Sequence, residues 1–254
     1  APILDDETLQ RIYFHTIDFS KKYRRISLLG GRAIRGIILS GPPGNGKTMM
    51  MRYLKAYAGK HSIKFSEVSK DSLETNPNYL RTSGFVFIDD FDLAILSRKR
   101  NHALTTTLLG AMDGITDDKK FSVRIFSTNE TVDDIDPAFK RPGRIDDIIH
   151  IPIPSLTLRQ KYLKSFLGPT LTQYFTPYVN NLLIDKTAGF SFAEITAVKD
   201  IFIQKYCDNE IILSTDVDVE KKQKETNRLM DEAFSTFYLS QGQKTKQTKK
   251  IGLI

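Results

Sequence analysis

The segment that most constrains this chain is Gly-Pro-Pro-Gly-Asn-Gly-Lys-Thr at residues 41–48. The apolar residues Ile37, Ile38 and Leu39 come shortly before it, and a run of helix-forming residues follows. Its glycines let the backbone bend into conformations that other residues rarely adopt, whereas its prolines fix φ and stiffen the loop. The sequence therefore predicts a buried strand, a shaped loop and a helix in immediate succession.

The eight residues fit the phosphate-loop pattern G-x-x-x-x-G-K-[S/T]. Gly41, Gly44 and Gly46 allow successive N–H groups to point inward at an anion, and the following helix adds its positive N-terminal end. The pattern predicts that Lys47 reaches the β- and γ-phosphates of a nucleotide and that the Thr48 hydroxyl is a ligand of Mg²⁺. A plain glycine-rich turn is the alternative, but the flanking strand and helix favour nucleotide binding. The predicted cofactor-binding residues of this segment are Gly41, Pro42, Pro43, Gly44, Asn45, Gly46, Lys47, Thr48 and Met49.

Short apolar runs predict a parallel sheet, since nearly continuous apolar strands are typical of a sheet covered by helices on both faces. They lie at 36–41, 62–68, 84–89, 122–128 and 147–153, and the run at 62–68 is the weakest. Helical patterns at 47–58 and 103–113 alternate with these runs. The predicted fold class is therefore α/β, a three-layer phosphate-loop NTPase domain with a parallel sheet.

The pattern changes after Pro154, where apolar residues recur at helical spacing and no further strand is evident. The helical stretches lie at 156–168, 191–207 and 216–239, and Ser155 or Thr157 can cap the first. The predicted parts are an α/β domain at 1–154 with a lead-in at 1–25, a small helical domain at 155–240 and a basic tail at 241–254.

Polar residues end two of the predicted strands. Asp89 and Asp90 end one strand, and Asn129 ends the next. The carboxyl ends of parallel strands meet at one edge of a sheet, here beside the phosphate loop. We predict that Asp89 holds Mg²⁺ directly or through water, that Asp90 polarises the attacking water, and that Asn129 orients water or the γ-phosphate. Ordinary turn-forming roles are the alternative, so these assignments depend on the phosphate loop.

Two arginines, Arg141 and Arg144, flank a Pro-Gly turn just before the last predicted strand. A guanidinium on a stiff turn can reach a phosphate bound by a neighbouring subunit and stabilise transition-state charge there. Surface salt bridges are the alternative for both. With these two, the predicted catalytic residues are Asp90, Asn129, Arg141 and Arg144.

The net charge of +7 raises the question of nucleic-acid binding. Four of the seven excess charges come from the tail, which is more typical of a solvated segment, so nucleic acid is not the expected partner. No apolar run approaches the roughly 18 residues needed to cross a bilayer, and no membrane segment is expected. The single cysteine, Cys207, lies in a helical pattern, is expected in the core, and fits a reducing, cytoplasmic location.

In order and approximate spacing, these motifs resemble the classical clade of AAA ATPases. The resemblance covers nearly the whole chain and rests on GPPGNGKT, LLGAMDG (108–114), STN (127–129), DPAFKRPGRID (136–146) and AGFSFAEI (188–195). It implies an ATPase that binds ATP and Mg²⁺, forms a homo-oligomeric ring, expected to be a hexamer, and acts on a protein client. It also implies that Arg141 and Arg144 act on the neighbouring subunit, and that Gly189, in a helical lid domain, closes over the nucleotide.

Three departures from the family pattern point to one subgroup. Asp90 stands where the family usually has Glu, Phe192 replaces the second glycine of the lid motif, and the stretch between the second and third strands is short and lacks a pore-loop signature. These features are similar to those of one subgroup, which contains the ATPase that assembles the mitochondrial cytochrome bc complex and the soluble bacterial relatives of that ATPase.

Two other classes of function remain open. A DNA-linked AAA+ ATPase, such as an initiator, clamp loader or transposition regulator, is favoured by the net charge and the lysine-rich tail. The LLGAMDG and RPGR motifs disfavour it, because they resemble the protein-remodelling clade. A scaffold that binds ATP without hydrolysing it is suggested only by Asp90.

Overall fold

The computed structural model describes residues 2–91, 102–113, 120–129, 132, 136–172 and 177–242. The chain divides into two compact units, Ala1–Ile153 and Pro154–Ile254. The phosphate-loop segment, both strand-end motifs and the arginine-bearing turn belong to the first unit. Apart from residues 241 and 242, the predicted basic tail lies outside the described residues.

A five-stranded sheet forms the centre of the first unit. Its strands are β1 (Ile34–Ser40), β2 (Phe65–Val68), β3 (Gly84–Ile88), β4 (Ser122–Thr128) and β5 (Asp147–His150). Their order is β2-β3-β4-β1-β5, and every neighbouring pair is parallel. The parallel sheet is thus confirmed. Because β4 lies between β1 and β3, the loop after β1 opens at the same sheet edge as the polar residues that follow β3 and β4.

Side chains alternate between the two faces of this sheet, and helices cover both. Ile37 and Leu39 pack on one face, whereas Ile38 packs on the other. The first face is covered by α1 (Asp6–His15), α2 (Ile17–Leu28) and α3 (Lys47–Lys60). The second is covered by α4 (Lys70–Thr75), a 3₁₀ helix (Pro77–Arg81) and α5 (His102–Met112). The central strands β3 and β4 and most of β1 are buried on both sides, which confirms the three-layer arrangement.

The lead-in forms two helices, α1 and α2, which the sequence analysis did not predict. Asp5 caps α1, because its carboxylate accepts a hydrogen bond from the Thr8 amide at 2.8 Å. Arg11 then joins α1 to the edge strand β5 through two hydrogen bonds to the Asp147 carboxylate, at 2.6 and 3.1 Å. The helices of the lead-in are therefore part of the helical layer that covers the first face of the sheet.

The short stretch between β2 and β3 contains α4 and the 3₁₀ helix. Ser69 caps α4 by accepting from the Ser72 amide at 3.1 Å, and Pro77 begins the 3₁₀ helix, where its missing N–H costs nothing. Leu73 and Leu80 are buried in the core of the second face. Two short helices thus occupy this stretch.

The second unit is helical. Its helices are α6 (Leu156–Thr172), α7 (Pro177–Lys186), α8 (Phe192–Cys207), α9 (Glu210–Leu213) and α10 (Val219–Ser240). Ser155 caps α6, since its hydroxyl accepts from the Leu158 amide at 3.4 Å. The three predicted helical stretches are present as α6, α8 and α10, whereas α7 and α9 were not predicted. Phe192, which departs from the lid pattern, is buried with its ring 4.7 Å from that of Tyr162.

One smaller prediction is corrected by the structure. Cys207 is exposed, so its placement in the core is wrong. Phe202 and Tyr206 carry the buried face of α8, and one further residue turns the helix by about 100° away from that face. Of the three methionines that open α3, only Met50 is fully buried, and Met49 is half exposed. No helix in the described part of the chain combines the length and apolarity required to span a bilayer.

Candidate active site

The loop at 41–48 has the backbone conformation that its glycines permit. Gly41, Gly44 and Gly46 have φ values of 145°, 78° and 101°, a region that residues with a Cβ rarely adopt. A Cβ added to Gly41 would lie 2.1 Å from the carbonyl oxygen of Ile151, so the loop also packs tightly against the chain after β5. Helix α3 begins directly after the loop. The loop therefore combines a permissive backbone with a helix N-terminus, as an anion site requires.

Lys47 lies inside this loop and is only 6% exposed. Its Nζ donates hydrogen bonds to the carbonyl oxygens of Gly41 at 2.7 Å and Pro42 at 3.0 Å. Burial lowers the pKa of Lys47, and the nearby carboxylates of Asp90 and Asp89 act in the opposite direction. A buried ammonium group favours an anionic partner. The position of Lys47 therefore fits a site for phosphate oxygens.

The remaining residues of the loop are placed differently from one another. Asn45 is fully buried, and neither of its amide atoms has a hydrogen-bond partner among the described residues. Buried polar atoms without a hydrogen-bond partner are uncommon in native structures, and a functional role is one reason for which they occur. Pro42 is half-buried, whereas Pro43 and Met49 are exposed.

A cluster of oxygen atoms lies where the predicted Mg²⁺ ligands meet. The Thr48 hydroxyl donates to one carboxylate oxygen of Asp89 at 3.5 Å. The other carboxylate oxygen of Asp89 accepts a short hydrogen bond from the Ser127 hydroxyl on β4. Hydroxyl and carboxylate oxygens are the ligands that Mg²⁺ prefers. Thr48 and Asp89 are thus brought together, and their chemistry fits this ion.

Asp90 and Asn129 also come together at the same edge of the sheet. The Asn129 side-chain amide donates to the Asp90 carboxylate at 3.3 Å. Asp90 has a positive φ of 47°, which is uncommon for a residue other than glycine and occurs preferentially at functional sites. Its amide donates to the Ser127 hydroxyl at 3.3 Å. Because both side chains are exposed, a carboxylate held by an amide faces solvent water here.

The two arginines of the Pro-Gly turn have contrasting environments. Arg144 donates from Nε to Asp113 and from Nη1 to the carbonyl oxygen of Ala138, each at 2.7 Å. Only 12% of its side chain is exposed, and it holds the pKa of the Asp113 carboxyl below its usual value. Arg141 is exposed, and its guanidinium has no hydrogen bond to any described residue. Arg144 thus makes its hydrogen bonds within its own chain, whereas the Arg141 guanidinium makes none with the described residues.

The turn itself is fastened to β1. The Gly36 amide donates to the Asp146 carboxylate at 2.9 Å, and the Asp146 amide donates to the Gly36 carbonyl at 2.7 Å. The other Asp146 carboxylate oxygen accepts from the Gly143 amide at 2.9 Å. These contacts fix the turn that carries Arg141 on the same strand that leads into the phosphate loop.

The last predicted site residue, Gly189, belongs to the second unit. It is exposed, has a φ of 81°, and lies three positions before the first residue of α8. Ser191 and Glu194 form a capping box at the start of that helix, with the Ser191 amide donating to the Glu194 carboxylate at 2.7 Å. The role of Gly189 toward a nucleotide stays a prediction.

Two contributing residues were not assigned by the sequence analysis. Ser127 orients Asp89, and Asp113 holds Arg144. A signal for Ser127 was present, because residues 127 and 129 point to the same side of an extended strand. No local signal identified Asp113, since its partner is 31 residues away along the chain.

Comparison with known proteins agrees with this geometry. Residues 37–153 match the family described as ATPase family associated with various cellular activities (AAA). The ATP-dependent zinc metalloprotease FtsH 3 of Sorangium cellulosum is 28% identical over 200 residues, which cover 71% of this chain and 33% of the relative. The ATP-dependent zinc metalloprotease FtsH of Chlorobium luteolum is 31% identical over 204 residues, which cover 70% of this chain and 28% of the relative. The ATP-dependent zinc metalloprotease YME1 homolog of Caenorhabditis elegans is 31% identical over 172 residues, which cover 60% of this chain and 23% of the relative. The chain spans about a third or less of the length of these relatives.

The fold and the site define a phosphate-loop NTPase domain. The comparisons narrow this class to an AAA ATPase domain with similarity to the FtsH proteases. Its cofactors are ATP and Mg²⁺, and its reaction is the hydrolysis of ATP. The predicted fold class, enzyme class and cofactors are therefore confirmed, and the resemblance to AAA ATPases is confirmed at the level of the domain.

Proposed function

We propose that this chain is the motor of a ring, expected to be a homohexamer, that uses ATP hydrolysis to remodel or translocate a protein client. The single observation that carries the proposal is the contrast between Arg141 and Arg144. The exposed Arg141 guanidinium has no hydrogen bond to any residue that the structure describes, and it lies on a turn that the half-buried Arg144 fixes in place. This arrangement suits a group that acts on a phosphate bound by a neighbouring subunit.

The residues of the first unit divide the work of hydrolysis. Lys47 and the loop amides bind the phosphates of ATP, and Thr48 and Asp89 hold Mg²⁺, which neutralises developing negative charge when bound. Asp90, oriented by Asn129, accepts a proton from the attacking water. Arg141 of the neighbouring subunit stabilises the transition state, and Arg144 positions the turn. Gly189 belongs to the segment that we expect to cover the nucleotide.

The proposal extends to the subgroup that contains the ATPase of mitochondrial cytochrome bc complex assembly and its bacterial relatives. Its support is the pair Asp89-Asp90 and the two short helices that occupy the stretch between β2 and β3. A cytoplasmic location also belongs to the proposal, and its support is the lone cysteine, which excludes an intrachain disulfide.

Subunit complementation tests the trans role of Arg141. Arg141→Ala alone is expected to bind ATP normally and to lose turnover by a factor on the order of 10³. Lys47→Ala alone is expected to lose nucleotide binding. In mixed rings, the Lys47→Ala subunit supplies its intact Arg141 to the intact loop of its neighbour, so phosphate release should return.

Arg144→Ala is the companion variant, because it removes the support of the turn and leaves Arg141 in place. If mixtures of Arg141→Ala and Lys47→Ala stay inactive while wild type forms rings, Arg141 does not act in trans.

Stimulation of phosphate release by an unfolded protein, measured beside stimulation by DNA, tests the class of client. A response to DNA alone would contradict the proposed remodelling of proteins.

A further inference from the structure

A cleft lies at the sheet edge opposite the phosphate loop. Its wall includes Gly84, where β3 begins, and Phe121, directly before β4. The turn after α3 and one side of α2 complete it, around a cavity of about 580 Å³. This volume is in the range of small-molecule pockets. Because the strands are parallel, the cleft is at their amino ends, whereas the loop at 41–48 follows the carboxyl end of β1.

Five basic side chains line the cleft. They are Lys21, Arg24, His61, Lys64 and Lys120. No carboxylate is found among the described residues that line it. The five come from α2, from the turn after α3 and from the segment before β4, so only the fold gathers them. Like charges in a concave site raise the local positive potential and attract anions.

Contacts among the described residues neutralise little of the charge of three of these cations. Lys21 has one carboxylate neighbour, Asp18, at 3.9 Å, and both side chains are about half exposed. Arg24 donates to the Tyr23 hydroxyl at 3.2 Å. Lys64 has no ion pair with a described residue. An exposed pair at such a distance contributes little, so these three side chains keep their positive charge, whereas Lys120 has a contact within the chain and is not counted with them.

Hydroxyl donors and aromatic rings accompany the cations. The Ser62 and Ser83 hydroxyls line the cleft and have no hydrogen-bond partner in the described part of the chain. The Tyr57 and His61 rings lie 4.2 Å apart at an angle of 34°. Cations and hydroxyls beside these tilted rings combine donors for phosphate oxygens with an aromatic surface against which a base can pack.

We propose that this cleft is a second anion site, which binds a chain of phosphates. The ligand is either a free oligophosphate or the backbone of a single-stranded nucleic acid, since both present closely spaced phosphate oxygens. This site is separate from the ATP site and does not depend on the proposed ring or its client. The three cations Lys21, Arg24 and Lys64 set the expected strength of the salt dependence.

Binding of a fluorescently labelled single-stranded oligothymidine, followed by anisotropy, tests the proposal. All proteins carry Lys47→Ala, so that the nucleotide site does not contribute. With three cations, affinity should fall about 18-fold between about 50 and 200 mM salt. Arg24→Ala/Lys64→Ala removes two of them, and the fall should then be only about 3-fold. Arg52→Ala/Lys221→Ala removes the same charge from exposed helical positions outside the cleft and should behave like its parent.

Competition identifies the source of the phosphates. Displacement of the oligothymidine by inorganic tripolyphosphate supports a site that reads phosphate chains from either source. If tripolyphosphate binds to the parent protein but not to the cleft variant, and oligothymidine does not bind, the ligand is a free oligophosphate. Equal losses of affinity in the cleft and control variants would overturn the proposal. It would also be overturned if neither ligand binds. Polyglutamate of matched charge that competes better than tripolyphosphate would also overturn it.

Discussion

Gly36, in the middle of β1, allows the arginine-bearing turn to approach the sheet. A Cβ at this position would lie 1.6 Å from the carbonyl oxygen of Arg144, whereas ordinary contact begins at 3.4 Å. In Gly36→Ala, the turn must therefore retreat by roughly 1.8 Å. Such a shift strains both hydrogen bonds between Gly36 and Asp146.

The expected cost follows from these contacts. Overpacking costs about 1–3 kcal/mol, and two weakened hydrogen bonds add about 1 kcal/mol each. The stiffer unfolded chain returns at most about 1 kcal/mol. A net loss of about 3 kcal/mol should lower the Tm by about 6–12 °C for a chain of this size. Turnover should fall more than ATP affinity, because the displaced turn carries Arg141.

Gly59→Ala is the matched control, since Gly59 lies in α3 and a Cβ there meets nothing within 4 Å. It should raise stability by about 0.5–1 kcal/mol, because alanine is the better helix former. Calorimetry gives both Tm values, and phosphate release with nucleotide titration separates turnover from binding. If Gly36→Ala melts within about 1 °C of wild type and retains its turnover, the close approach of the turn has no energetic consequence and the reasoning is wrong.

Three further predictions concern the site. Asp90→Asn should keep ATP binding and lower phosphate release by a factor on the order of 10²–10⁴; steady release by the variant would exclude Asp90 as the base. Ser127→Ala removes the hydrogen bond that orients Asp89, so half-maximal turnover should require more Mg²⁺, and an unchanged Mg²⁺ titration would contradict that role. The lowered pKa of Asp113 means that its pairing with Arg144 stabilises the fold above the ordinary value of 3.8 and is lost as the pH falls through the lowered pKa. Urea unfolding of Asp113→Asn should therefore show a smaller loss of stability on acidification than wild type, and parallel pH profiles would refute this pairing.

The shortest helices show where sequence patterns were too weak to predict them. Helices α4 and α9 have six and four residues, too few for an apolar period to emerge. The lead-in helices α1 and α2 have ten and twelve residues and were missed although their length allows such a period. Cys207 shows a related limit. The sequence placed it on a helix correctly, but which side of a helix end is buried depends on the helix packed against it.

Local chemistry in the sequence by itself determined the phosphate loop and the five strands. These signals extend over only a few residues, so they can be interpreted without knowledge of the fold. They are glycines that permit positive φ, a lysine at the start of a helix and nearly continuous apolar runs. The acids at the end of β3 could be assigned for the same reason, because parallel strands bring their carboxyl ends to one edge.

Tertiary structure alone decided which side chains meet. The strand order places β4 beside both β1 and β3, and this brings Ser127 to Asp89 and Asn129 to Asp90. It also decided that Arg144 is held by Asp113 while the Arg141 guanidinium has no hydrogen bond to the residues that the structure describes, and it gathered basic residues from three segments into one cleft. Through-space contacts of this kind depend on chain topology, which no local window of sequence contains.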